Sequence, residues 1–184
     1  MTHAARKAVF LDRDGTLNVE KNYLYRYEDW EWIPGAQAAI RSLNRLDLDV
    51  IVVTNQAGIA RGYYSEADVH RLHAQVDRDL AASGARVSAY YLCPHHPEYG
   101  ERVHCLCRKP LPGMLVQAAH EHGIDLTRSW MVGDRESDME AARRCGVRPL
   151  LVATGYGEQT RHHFEPDVPY FPSVAEAVRW IETH

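Results

Sequence analysis

Five short apolar runs rich in β-formers recur along the chain, separated by stretches whose apolar residues fall at helical spacing. The runs are Lys7–Asp12 (KAVFLD), Asp49–Thr54 (DVIVVT), Val87–Leu92 (VSAYYL), Trp130–Asp134 (WMVGD) and Pro149–Ala153 (PLLVA). Ala36, Ala39, Ile40, Leu43 and Leu46 share one helical face, as do Val69, Leu72, Val76 and Leu80. Ser65 with Asp68, and Ser173 with Glu176, have capping-box spacing; the second pair opens a last helix carrying Val174, Ala177, Val178 and Ile181. Gly84, Gly123 and Gly146 follow helix ends, where a left-handed residue is wanted. Parallel strands need crossovers long enough for a helix, so the alternation predicts an α/β fold around a mostly parallel sheet.

A length of 184 residues suits one domain spanning 1–184. With 45% hydrophobic and 25% charged residues there is material for a core, which excludes disorder and fibre. The net charge of −4 speaks against a nucleic-acid or membrane-surface binder. No apolar run approaches the ~18 residues of a membrane span, and Met1–Leu11 is too polar and short for a signal peptide. The expected location is therefore the cytoplasm, without nucleic-acid or membrane partners. The oligomeric state stays open, with a monomer sufficient. Two segments break the alternation: Arg13–Pro34, an aromatic and charged excursion placed like a lid over the first strand, and Cys93–Pro112.

Asp12, Thr54 and Asp134 each close a predicted strand, at the sheet edge where α/β folds bind ligands. Asp14 follows Asp12 by two residues, and Asp138 follows Asp134 by one helical turn. Any one aspartate would pass as a cap or turn former. Grouped, Asp12, Asp14 and Asp134 repel one another unless a cation sits among them, and hard carboxylate oxygens suit Mg²⁺.

Asp-Arg-Asp-Gly-Thr after the first strand, Thr-Asn-Gln after the second, then Arg-Lys-Pro and Gly-Asp, resemble the four motifs of the haloacid dehalogenase-like phosphatase superfamily. The resemblance spans Val9 to Gly155 and implies a Rossmann-like three-layer sandwich with no large cap. It makes Asp12 the nucleophile, Asp14 the general acid/base, and Thr54 and Lys109 the phosphoryl-oxygen ligands. Asp12, the Asp14 backbone carbonyl and Asp134 become the Mg²⁺ ligands. The chemistry is coherent in itself: a carboxylate attacking a phosphate dianion needs cations on the phosphoryl oxygens, and a sugar alkoxide needs a proton to leave.

Cys93-Pro-His95 and Cys105-Leu-Cys107 offer three thiolates and an imidazole, a donor set for a structural, tetrahedral Zn²⁺ loop. His96 and His104 are alternative donors. Cys145 reads as a small buried thiol at a helix end. Cys-Pro-His with Cys-x-Cys-Arg-Lys-Pro is similar to the branch holding heptose-bisphosphate and histidinol-phosphate phosphatases. Thr54–Gly62 (TNQAGIARG) favours the heptose side, whose acidic-Gly-Tyr lid motif appears here as Glu20-Lys21-Asn22-Tyr23. The implied substrate is a small sugar phosphate. Arg13, Glu20, Lys21, Asn22, Tyr23, Asn55 and Gln56 are the candidate contacts, and Arg108 and Arg135 the candidates for a second anionic group. A zinc-containing binding module without catalysis is the rival from another class; binding alone would not require an acid/base beside a nucleophile.

Overall fold

In the computed structural model, which describes residues 5–163 and 167–184, the strands are β1 (Ala8–Leu11), β2 (Asp49–Asn55), β3 (Ala89–Cys93), β4 (Trp130–Gly133), β5 (Arg148–Val152) and β6 (Tyr170–Phe171). They pair in parallel in the order β3-β2-β1-β4-β5-β6. The helices are α1 (Ala36–Arg45), α2 (Glu66–Ala82), α3 (Gly113–His122), α4 (Glu136–Arg144), α5 (Gly157–His163) and α6 (Val174–Ile181). The chain lays strands outward on one side of β1 and then crosses to β4. Leu11 stands level with Val52 and Val132, so the ends of β1, β2 and β4 open into one crevice at that reversal.

Alternation along each strand builds the layers. Val9, Leu11, Val50, Val52 and Val132 face one side, covered by Ile40 and Leu43 of α1, Leu72 and Val76 of α2, and Val178 and Ile181 of α6. Phe10, Ile51, Val53 and Met131 face the other, covered by Met114 and Leu115 of α3 and Ala141 and Ala142 of α4. Strands coated on both sides read as continuous apolar runs, which is why five of them stand out in the sequence.

The expected ends hold to within a few residues. Ser65 caps α2 in a reciprocal box with Asp68. Ser173 caps α6 through the Ala175 N–H, but its hydroxyl meets the Glu176 carboxylate directly, so the expected box is a single cap there. Gly84, Gly123 and Gly146 have positive φ. Two elements were not expected: α5 has no apolar periodicity and β6 is two residues long. Residues 1–4 of the opening segment lie outside the described residues, among which no helix is long and apolar enough to cross a membrane.

The excursion after β1 folds back on itself through Val19 N–H to Glu31 O (2.8 Å) and Ile33 N–H to Leu17 O (2.8 Å). Asp79 of α2 accepts from Tyr27 Oη and from Trp32 Nε1 (3.1 Å). The body of this strap is thus fixed to α2, and its tip, Glu20–Tyr23, is left beside the crevice.

Candidate active site

Asp12 begins the loop after β1, and its N–H donates to Val132 O of β4 (2.9 Å). Carboxylate oxygens of Asp12, Asp134 and Asp138 lie within 4.8 Å of one another, and all three residues are buried. Into this group runs Lys109, 3% exposed. Its ammonium stands 2.8 Å from Asp12 and 2.6 Å from Asp138, and donates to Val53 O at 2.8 Å. Burial would lower the Lys109 pKa, but Asp12 and Asp138 outweigh it and raise it. Burial, then Asp138, push the Asp12 carboxyl up to about 6 despite Lys109. Asp134 is held well above the usual carboxylate range by burial, then by Asp12 and Asp138.

Three carboxylates against one ammonium leave an excess charge of −2 in a buried place, and Asp134 Oδ1 has no hydrogen-bond partner. Hard oxygens, that excess charge and an orphaned oxygen fit a divalent cation of the Mg²⁺ kind. Two glycines make room for it. A Cβ on Gly15 would stand 2.3 Å from Asp134 Oδ2, and one on Gly155 2.1 Å from the same atom; both residues have positive φ.

Beside the cluster lies a cavity of about 530 Å³. Asp12, Asp14, Thr54 and Lys109 line it, together with Glu20, Asn22, Tyr23, Asn55, Gln56, Arg108 and Arg135. The Asp14 carboxylate lies outside the three-carboxylate group and accepts from Asn18 Nδ2 (3.0 Å) and Gln56 Nε2 (3.1 Å). Gln56 Nε2 also reaches Thr54 Oγ1 (2.8 Å), while Tyr64 Oη donates to Gln56 Oε1 (2.7 Å) and so sets which way the amide faces. Asn55 clamps the backbone of Lys109, accepting from its N–H and donating to its C=O, each at 3.1 Å. Arg135 spans the mouth, paired with Glu20 (3.1 Å) and lying 3.8 Å over the Tyr156 ring.

Two of the expected substrate contacts are not among the residues that line this cavity. Arg13 is 1% exposed and does not line the cavity. The chain bends at Arg13, whose C=O accepts from the Leu17 N–H (2.8 Å), and the side chain runs inward to Leu24 O. Lys21 is also outside the lining, because its ammonium pairs with Glu31 across the strap (3.0 Å). Tyr64, Ser137 and Tyr156 line the cavity without having been singled out. Tyr64 follows the Thr-Asn-Gln segment and Ser137 lies between Asp134 and Asp138, so proximity to the motifs was the available signal.

Cys93 ends β3, and its Sγ lies 3.7 Å from Cys105 Sγ, 3.2 Å from Cys107 Sγ and 3.6 Å from His95 Nδ1. His95 Nδ1 is 3.3 Å from Cys107 Sγ. Zn–S bonds of ~2.3 Å make a tetrahedral edge of about 3.8 Å, close to this spread, so the donor set fits a structural zinc. Burial and the neighbouring Cys107 push the Cys93 thiol up. His96 is turned away, its ring nitrogens engaged by Arg61 (3.2 Å) and the Glu98 N–H (3.0 Å), and His104 stands outside the group. The loop is tied to the catalytic side through Gln56 N–H to Cys93 O (2.8 Å) and Arg108 Nη1 to His95 O (3.1 Å).

A buried aspartate at the switch point of such a sheet, with a lysine and a divalent-cation cradle, is the arrangement of a Rossmann-like hydrolase that acts on phosphoryl groups. The chain belongs to the haloacid dehalogenase-like hydrolase family, whose sequence profile matches residues 9–125; a second profile of the superfamily matches residues 106–177. It is 44% identical to the D-glycero-D-manno-heptose-1,7-bisphosphate 7-phosphatase of Thermosynechococcus vestitus, the alignment covering 97% of each chain. It is 43% identical to the D-glycero-beta-D-manno-heptose-1,7-bisphosphate 7-phosphatase of Pseudomonas putida over 88% of this chain and 90% of that one. The crystal structure of the D,D-heptose 1,7-bisphosphate phosphatase of B. bronchiseptica, complexed with magnesium and phosphate, superposes with a TM-score of 0.88 at 34% identity, covering 96% of this chain and 98% of that one.

Two outcomes follow from this geometry. In the folded, metal-free chain Asp12 titrates at about 6 against an ordinary 3.8. The fold therefore binds more protons than the unfolded chain across that window and loses stability as pH rises through it. Mg²⁺ competes for the same oxygens, so it should raise Tm more at about pH 7.5 than at about pH 5; an equal rise at both would remove the carboxylates as its ligands. Replacing Cys107 with Ser should lower kcat on the order of 10²-fold, because Lys109 is two residues away and loses its anchor. Unchanged kcat in a variant whose loop has lost the four-donor arrangement, read as zinc content below that of the wild-type chain, would show that the loop does not position Lys109.

Proposed function

We propose that this chain, as a single domain, is a cytoplasmic phosphomonoesterase. It removes the 7-phosphate of D-glycero-D-manno-heptose 1,7-bisphosphate and so supplies a heptose 1-phosphate for nucleotide activation. The observation that carries the reading is one cavity with two cationic stations: Lys109 in its floor beside Asp12, and Arg108 and Arg135 on its walls. A monophosphate needs the first alone, whereas a bisphosphate uses both. The heptose bisphosphatases to which the chain is 41–45% identical support the same substrate.

In this reading an Asp12 carboxylate oxygen attacks phosphorus as the ester oxygen departs, giving an aspartyl-phosphate. Lys109 and Thr54 hold phosphoryl oxygens. Asp14 gives its proton to the departing alkoxide and then takes one from the water that hydrolyses the aspartyl-phosphate, restoring Asp12. Asp12, Asp134 and the Asp14 carbonyl would hold Mg²⁺, which when bound supplies positive charge against the phosphoryl oxygens. Zn²⁺ on Cys93, His95, Cys105 and Cys107 would have no open position and would serve structure alone. One chain furnishes every one of these groups, so a monomer suffices.

Asp12→Asn keeps the side-chain volume but cannot attack; kcat should fall on the order of 10³-fold or more, and near-normal turnover in a phosphate-release assay would sink the nucleophile assignment. Arg108→Ala should raise KM for the heptose bisphosphate more than for a sugar monophosphate. Equal effects on both would remove the second-phosphate station, and preferred turnover of histidinol phosphate by the wild-type chain would replace the substrate.

A further inference from the structure

Arg13 stands between two catalytic aspartates in sequence, yet its guanidinium is buried and turned from the cavity. Its Nε donates to Asp14 Oδ2 (3.1 Å) and its Nη2 to Asp14 Oδ1 (3.0 Å), a fork on both carboxylate oxygens. The same Nη2 donates to Leu24 O in the strap (2.7 Å), and Nη1 lies 3.5 Å from His73 Nε2 of α2. His73 stacks on Tyr90 of β3 with ring centroids 4.2 Å apart. Burial and then Arg13 hold His73 down to about 2, so it stays a neutral ring able to accept from the guanidinium. Burying an arginine–carboxylate pair is poor value for stability alone, since desolvation offsets much of the attraction. What the fork does supply is direction, because a planar guanidinium fixes the plane of the carboxylate it grips.

We infer that Arg13 is a positioning residue for Asp14: it aims the acid/base carboxylate and ties that aim to the strap backbone at Leu24. Asn18 and Gln56 add single hydrogen bonds to the Asp14 oxygens, but only Arg13 grips both and also reaches the strap. The inference rests on the phosphatase reading above and deepens it. Its signature is selectivity for the leaving group. A sugar alkoxide cannot leave without the Asp14 proton, whereas p-nitrophenolate leaves unprotonated. Damage to the fold, or to Asp12 and Lys109, would slow both esters alike.

The experiment compares kcat/KM, which reports formation of the aspartyl-phosphate and not its hydrolysis, for glucose 6-phosphate, mannose 6-phosphate or the heptose bisphosphate, whichever the wild-type chain turns over, with kcat/KM for p-nitrophenyl phosphate. Both are measured on one preparation, so the ratio does not depend on the folded fraction. Arg13→Gln should lose about tenfold or more on the sugar ester and under about threefold on p-nitrophenyl phosphate, part of the 10²–10⁴ that general acid catalysis supplies. Arg13→Lys, which keeps the buried charge but cannot fork, should show the same bias in smaller measure; it carries the test if the Gln variant does not fold. In an Asp14→Asn background, Arg13→Lys should cost nothing further on the sugar ester. Equal losses on the two esters, no loss on either, or a full further loss in the Asp14→Asn background would overturn the role of Arg13 while leaving the phosphatase reading standing. A wild-type chain that hydrolyses no phosphate ester would overturn both.

Discussion

The ammonium of Lys109, held between Asp12 and Asp138 under the crevice, is the interaction on which the rest of the arrangement depends. It donates to Asp12 and to Val53 O and forms an ion pair with Asp138. Without it, three buried carboxylates would face one another with no ammonium between them, and removing one member of such a buried group is far costlier than never having built it. The aspartates come from the end of β1 and from the β4–α4 junction, while the lysine arrives from the segment between β3 and α3, so the ion group pins three distant stretches to one point. The backbone around Lys109 is accordingly over-determined. Asn55 clamps it from the end of β2, and Cys107, two residues before it, belongs to the thiol cluster that β3 begins.

That geometry follows from sheet order. β1 lies at the centre with β2 on one side and β4 on the other, and Leu11, Val52 and Val132 stand level. Asp12, Thr54 and Asp134, one or two residues beyond that level, therefore converge at one edge of the sheet. Loop-borne groups are different: Glu20, Arg135 and Tyr156 meet at the mouth through an ion pair and a ring contact, and the Tyr156 N–H reaches back to Asp134 Oδ2 (2.7 Å). The wall of the cavity is in this way fastened to the cation cradle beneath it.

How far the sequence could be read tracks this division. The parallel strands, the aspartates at their ends and the four soft donors were legible, because continuous apolar runs, strand-end positions and clustered Cys and His residues are local signals. Asp138 was legible as one turn beyond Asp134, but not its grip on Lys109, a residue it meets only through the fold. Arg13 and Lys21 lie beside the motif and the strap tip in sequence, but the fold turns Arg13 onto Asp14 and Leu24 O and pairs Lys21 with Glu31, contacts that no local signal announces. β6 and α5 carry no apolar period: β6 is an edge strand of two residues, and α5 buries only Gly157.

The strap and the donor loop bear on each other as well as on the sheet. Asn22 and Tyr23 hold consecutive left-handed conformations, φ 51° and 59°, at the cavity wall. Such backbone costs free energy for residues with a Cβ and persists only where surroundings fix it. The Asn22 N–H is held by Glu20 Oε1 (2.8 Å), and the Tyr23 ring packs edge-on against Tyr63 with centroids 4.9 Å apart. Arg61 lies 5.9 Å from the Tyr23 centroid and 4.1 Å from that of Tyr99, with its Nη2 3.2 Å from His96 Nε2. Tyr99 and His96 lie in the loop between His95 and Cys105. The cation-shaped set of thiols and imidazole therefore supports two walls of the cavity: the Lys109 side through Cys107, and the Tyr23 side through His96, Tyr99 and Arg61. A loop without a strand of its own can shape a binding cavity only if something fixes it at both ends. Here Cys93 does so from the sheet and Cys105 and Cys107 from the far side, which leaves the tip free to carry the contacts that reach the strap.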